Sequence, residues 1–327
     1  MEEMMKTIPA ILLLAILGAL AGCAPSLGPA VGATPSLGPV PTDEAAAQAQ
    51  AQTDFAWVME LWGSADAVAR AQAFDAKYGT QLAAEAQAVV PAPKPRLSGG
   101  GSNYPTLTLP FSVNGAVYLA GGGDSLVSSV IGWAAPKNLA GAYVHGAALE
   151  LSKFDPANLA APALQTAVTK GAGYESANDW QSNVNVCVLN PNFTVDSAKL
   201  NAAQAQEDYY CNLPSGQQAY GFFKGYVDIF DVVAKDDTYW WYCTKVVWDM
   251  WHRYGIDLDT NDPRVDFTSS GLYGLAKAYY SAIYFWSSSK ANAALASYIN
   301  DTKSKIVMAE EIMLSPYLNK VYEVIRK

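Results

Sequence analysis

Tyr242-Cys-Thr-Lys-Val-Val-Trp-Asp-Met-Trp-His-Arg-Tyr254-Gly255 is the stretch on which the reading of the fold turns. Val246, Val247, Met250, Trp251 and Tyr254 recur at the three-to-four-residue spacing of a helix with one buried face. Gly255 follows as a left-handed C-terminal cap would. The spacing therefore predicts a helix over 242–254 with Cys243 at its start. In the first turn, unpaired backbone N–H groups and the helix dipole stabilise an anion, which is what a nucleophilic thiol needs. A cysteine that is merely buried and inert would fit the same position.

A thiol nucleophile works with a base, and the chain has two histidines. His252 lies nine residues further along the same helix. At about 100° per residue it falls on the opposite face, ~13 Å along the axis, beyond reach of the sulfur. His145 stands in Tyr143-Val-His-Gly-Ala-Ala-Leu149, entering an apolar strand after Gly141. An imidazole among such small neighbours is an unusual choice for packing alone, and His145 is the expected base.

Cysteine usage sharpens the assignment. The chain begins with an apolar run, Thr7 to Leu20, preceded by Lys6 and followed by small residues, as in a secretory signal. Initiation at Met4 or Met5 would remove Glu2 and Glu3, which otherwise spoil a basic start. The run ends Leu20-Ala-Gly-Cys23, which resembles the lipobox of bacterial lipoproteins. That resemblance implies cleavage before Cys23, acyl chains on Cys23 and attachment to the cell envelope. With Ala24 next, it favours the outer membrane where the organism has one. In such an oxidising compartment cysteines tend to pair. Cys187 and Cys211, twenty-four residues apart, are the natural disulfide, leaving Cys243 as the lone thiol.

Around these residues the chain divides by composition. Residues 23–52 hold an imperfect repeat, Ala24-Pro-Ser-Leu-Gly-Pro and Thr34-Pro-Ser-Leu-Gly-Pro, in an Ala/Pro/Gly-rich run that reads as a tether reaching roughly 30 Å. Residues 53–110 read as a helical segment, Asp54 to about Ala88 broken near Gly79, and a Pro/Gly/Ser loop. Strand-like runs follow at 111–120, 143–151, 164–169 and 184–189, and Asp196 to Tyr210 is helical in composition. Beyond 270 come an aromatic stretch, Tyr279–Trp286, expected in a core, and two helical segments, 290–301 and 303–325. The order fits class α+β, a small mixed or antiparallel sheet flanked by helices.

Gly123-Asp124, then His145-Gly-Ala-Ala-Leu149, then Tyr239-Trp-Trp-Tyr-Cys243-Thr-Lys-Val-Val-Trp248, then Gly255-Ile-Asp-Leu-Asp259 resemble the circularly permuted papain-like amidases. These are relatives of bacterial cell-wall cysteine peptidases and of lecithin retinol acyltransferases. The likeness runs from about Gly115 to Ser270, and its distinguishing feature is His before Cys in the chain. It implies a half-barrel packed on a nucleophile-bearing helix over 111–270, with Cys243 as nucleophile and His145 as general base. It also implies a polar residue that orients the imidazole. The following strand offers Gln165 for that role, and Glu175 is the alternative. Lys245 stands where relatives often carry Glu.

Composition excludes other classes. Twenty-one basic against thirty acidic residues, a net charge of −9, leave no basic stripe for nucleic acid. Four cysteines and two histidines are too few for a zinc module once the roles above are assigned. Asp257-Leu-Asp-Thr-Asn-Asp262 opens like a calcium loop but has Asp262 where Gly is needed and Thr268 where Glu belongs. No metal or cofactor is expected. Three readings follow: an envelope-anchored thiol hydrolase of amide bonds on cell-wall peptides, a thiol hydrolase or acyltransferase of lipid amides or esters, and a non-catalytic envelope binding protein. Trp240, Trp241, Trp248 and Trp251 keep the lipid reading in play.

Overall fold

The computed structural model describes residues 37–89, 105–121, 131–136, 143–224 and 230–326. The signal segment, Cys23, most of the repeat and the Gly123-Asp124 pair lie outside the described residues. Among the described residues no helix is long and apolar enough to cross a membrane.

The described chain is of class α+β and falls into two compact units. One comprises residues up to 92, 223–231 and 274–298; the other comprises 93–222, 232–273 and 299–327. The expected extension 271–327 is thus divided between the two.

In the first unit, α1 (Glu44–Met59), α2 (Ala65–Tyr78) and α3 (Leu82–Val89) follow one another. α1 begins at Glu44, well inside the stretch read as tether. Asp43 accepts from the Ala46 N–H, and an Ala/Gln-rich run with strong helix propensity carries the helix on from that cap. Gly79 ends α2 at φ 69°, as a left-handed cap. The aromatic stretch expected in a core is instead half-buried to exposed: Tyr279, on α7 (Gly271–Ile283), meets Phe55 edge-on and Phe230 at a tilt, at centroid distances of 4.9 and 4.2 Å, while Phe285 is 47% exposed. Tyr298, on α8 (Ser288–Lys305), joins them.

The second unit is built on a six-stranded antiparallel sheet. Its strands are β1 (Val117–Gly121), β2 (His145–Leu149), β3 (Pro162–Val168), β4 (Gly171–Ser176), β5 (Asn185–Pro191) and β8 (Leu318–Val324). The order is β4-β3-β2-β1-β5-β8. Alternation along β1 builds a core on each face. Val117 and Leu119 pack with Leu200, Val247, Met250 and Trp251, while Tyr118 and Ala120 pack with Leu149, Val188 and Trp180. The first of these cores is closed by α5 (Ser197–Cys211) and α6 (Cys243–Tyr254). α4 (Ala177–Gln181) follows β4 directly, and a short parallel pair, β6 (Ala219–Tyr220) with β7 (Trp240–Trp241), leads into α6.

Several elements differ from the sequence reading, two of them in the six-stranded sheet. β4 was not anticipated; it folds back on β3 through Thr169-Lys170, with Gly171 at φ 119°. The expected helix over 303–325 is instead the end of α8, a short α9 (Ala309–Met313) and the strand β8. Pro316 stops helical continuation, and Leu318 to Val324 then pair with β5.

Candidate active site

Cys243 is the first residue of α6, a helix of twelve residues whose N-cap, Tyr242, offers no side-chain hydrogen bond. The first backbone N–H groups of such a helix are free for an anion. The segment after α8 fastens this end on both sides of the thiol. The Val307 N–H donates to the Tyr242 hydroxyl at 3.1 Å, and the Thr244 hydroxyl donates to the Val307 carbonyl at 2.7 Å. Lys245 secures the approach to the helix: its ammonium donates to the carbonyls of Ala234, Asp237 and Trp240 and lies over the Trp241 ring. Burial pulls this lysine down to about 8, against the pull of Asp237.

β2 brings the imidazole to the same place. α6 packs on β2 and β3, and Gly146 is what allows the close approach. A Cβ there would lie 3.1 Å from the Thr244 methyl. The Gly146 carbonyl accepts from the Thr166 hydroxyl at 2.6 Å, which pins the strand. The Cys243 thiol reaches the Val144 carbonyl at 3.7 Å, and the next residue is His145, whose charged form the nearby sulfur favours. The thiol is buried, at 3% exposure, whereas the His145 and Glu175 side chains keep 26% and 27%. The site therefore opens to solvent on the imidazole side.

Glu175, on β4, completes the constellation. His145 Nε2 lies 2.8 Å from Glu175 Oε2. Burial disfavours the charged ring, but Cys243, as charge and hydrogen-bond partner, and then Glu175 outweigh it. The His145 pKa is raised to about 10. The ring also stacks on Trp180 of α4 at 5.1 Å and 16°.

Gln165 is not the orienting residue. It is fully buried in β3, where its amide donates to Asp208 at 2.8 Å, to the Gln204 carbonyl at 3.0 Å and to Glu150 at 3.2 Å. Alternation along β3 explains the difference, because Gln165 points to the face covered by α5. The alternative, Glu175, sits opposite Leu164 in the register, one residue out of phase with Gln165.

The disulfide expectation is also corrected, since Cys187 and Cys211 are both free and buried. Cys187 lies in β5, whereas the Cys211 thiol donates to the Gly173 carbonyl of β4 at 3.2 Å. β4 and β5 are separated by β3, β2 and β1. Four strand spacings amount to roughly 19 Å, far beyond the Cα separation a disulfide spans. Burial raises the Cys187 thiol to about 12 and raises that of Cys211 further.

Sequence reasoning overlooked Trp180. Its one signal was Ser176-x-x-Asp179, a capping box that marks a helix start directly after Glu175. Among the described residues no group of three or more His, Cys, Asp or Glu side chains is placed to hold a metal ion. The acids of the calcium-like run have protein partners: Asp257 accepts from Trp248 Nε1, Asp259 pairs with Lys235 and Asp262 with Arg264.

No family model matches the chain. No curated protein matches it either. Among solved structures it is similar to the crystal structure of metalloprotein yiiX from Escherichia coli O157:H7, DUF1105. The identity is 14% and the TM-score 0.41, over 65% of this chain and 98% of that one. A likeness this slight carries no argument.

Proposed function

We propose that the protein is an envelope-anchored thiol hydrolase that cleaves amide bonds of cell-wall peptides, in a permuted papain-like frame. The observation that carries the reading is the placement of Cys243, at the head of α6, against the Val144 carbonyl next to His145, with the His145 ring held by Glu175. His145 precedes Cys243 in the chain, as the permuted order requires.

In this reading His145 takes the Cys243 proton, and the thiolate attacks the scissile carbonyl. The oxyanion accepts from the backbone N–H of Cys243. Imidazolium gives its proton to the leaving amine, and an acyl-enzyme remains. Water, deprotonated by His145, then attacks the thioester, releasing the acid and restoring the thiol. Glu175 keeps the ring in one orientation through both halves. Trp241, Trp248 and Trp251 are buried in the protein's cores, so they give the lipid reading no exposed apolar surface.

The test combines a thiol probe with two substrates. Iodoacetamide should label Cys243 rapidly at neutral pH in the wild type and slowly in His145→Ala, and peptidoglycan fragments should be cleaved in preference to short-chain acyl esters. Equal labelling of both proteins would move the reading to a binding protein; preference for the esters would move it to the lipid branch.

A further inference from the structure

Glu175 and Trp180 reach His145 from one corner of the fold. β4 ends at Ser176, which is also the N-cap of α4. Ser176 and Asp179 form a reciprocal capping box: the Asp179 carboxylate accepts from the Ser176 N–H at 2.9 Å and hydroxyl at 2.6 Å. The box fixes where α4 leaves the strand. Glu175 is thereby set on the strand side of the turn and Trp180 on the helix side. One meets the edge of the imidazole and the other its face.

Filling the core does not by itself account for an indole at this position. Trp180 is fully buried, and its Nε1–H has no hydrogen-bond partner among the described residues. A buried N–H without a partner costs free energy that a phenyl or isobutyl group would avoid. What the indole adds over those groups is a large electron-rich face, and a nearly parallel imidazole lies on it. Tryptophan is the strongest of the aromatic side chains toward a cation.

We infer that Trp180 is a positioning residue for His145. Its ring face and the Glu175 carboxylate together hold the imidazole toward Cys243 and favour the imidazolium that forms when the thiol gives up its proton. The inference rests on the Cys–His reading of the site.

The chain suits a direct test, because His252 is its one other histidine and also stacks on a tryptophan, Trp248, at 4.6 Å and 15°. The full chain carrying Cys23→Ser, labelled at the histidine ring nitrogens, is titrated by NMR beside Trp180→Leu and Trp180→Phe. The expected result is a His145 midpoint about half a pH unit lower in Trp180→Leu. Trp180→Phe should recover part of the shift, and His252 should stay in place as the reference. Cys243 alkylation at neutral pH should slow in the same order. A second arm replaces all nine tryptophans with a fluorinated isostere, which keeps shape and fold while weakening the ring faces. The His145 midpoint should then fall. An unchanged His145 midpoint in Trp180→Leu, or in the fluorinated chain should the leucine variant not fold, overturns the inference even if thermal stability drops. The parent reading is tested separately: alkylation of the wild type that is indifferent to His145→Ala would overturn both.

Discussion

Gly146 and Thr244 touch without a side chain between them: a Cβ added to Gly146 would lie 3.1 Å from the Thr244 methyl and 3.6 Å from its Cα. The neighbours of these two residues are His145 and Cys243, so the spacing of strand and helix also sets the spacing of imidazole and thiol. In Gly146→Ala the Thr244 side chain, held by its bond to Val307, must give by a few tenths of an ångström, and α6 is expected to shift with it. Overpacking of this kind costs about 1–3 kcal/mol. A lower melting temperature is expected, together with slower Cys243 alkylation. Unaltered alkylation would show that the pair does not depend on this contact.

Glu175 and Gln165 should separate cleanly by substitution. Glu175→Gln keeps a polar group at the Nε2 edge but removes its charge. Because Cys243 and Glu175 raise the His145 pKa from its ordinary value to about 10 against the opposing effect of burial, losing Glu175's charge should lower it. The stabilising contribution of the charged ring is complete below about pH 6.5 and is lost as the pH rises through about 10. In the variant that loss should be smaller and complete at lower pH, and kcat should fall on the order of ten-fold or more with little change in KM. Gln165→Leu removes buried hydrogen bonds to Glu150, Gln204 and Asp208. It should reduce stability by about 1–3 kcal/mol and leave the His145 titration where it was.

How much of this was legible follows from the range of the signals involved. α6 could be read to within a residue at its start and at its C-cap, because helical periodicity and a terminal glycine are local. His145 and Cys243 could be paired because each stands at the start of its own element. The third partner could not be chosen, because which face of a sheet a residue takes depends on register, and a one-residue change of phase exchanges Gln165 for Glu175. Strand order was equally hidden. Cys187 and Cys211 look like neighbours in sequence and lie at separated positions in the sheet. β8 was mistaken for helix because its pairing partner, β5, lies more than a hundred residues earlier.

The cysteines give a prediction that needs no substrate. With Cys187 in β5 and Cys211 against β4, the folded protein should contain no disulfide. In the full chain carrying Cys23→Ser, denaturation without reductant should expose three reactive thiols by mass spectrometry, and reductant should leave the melting temperature unchanged. Two masked thiols that appear only after reduction would contradict the strand order.

Glu310 and Glu311 tie the pH dependence of stability to the segment that fastens Cys243. Both are buried on α9, immediately after the Val307 clamp. Among the described residues no other residue hydrogen-bonds either Glu310 oxygen, while Glu311 accepts from the Met308 N–H through one oxygen. Burial raises Glu310 to about 7; burial, and then the charge of Asp259, raise Glu311 to about 8, with Lys303 and Lys235 opposing. In the unfolded chain both would ionise near 4.5, the ordinary glutamate value. Between that pH and 7–8 the folded state binds more protons than the unfolded one, so stability must fall as pH rises through this window. The combined loss is at most on the order of 8 kcal/mol. A melting temperature that declines from pH 5 to pH 8 is expected, with a flatter profile in Glu310→Gln/Glu311→Gln, where the neutral form is fixed. Since Val307 holds Tyr242 and Thr244 on either side of the thiol, alkylation of Cys243 in the double variant should also depend less on pH above about 7. A variant whose stability fell as steeply as the wild type's would place the titrating groups elsewhere.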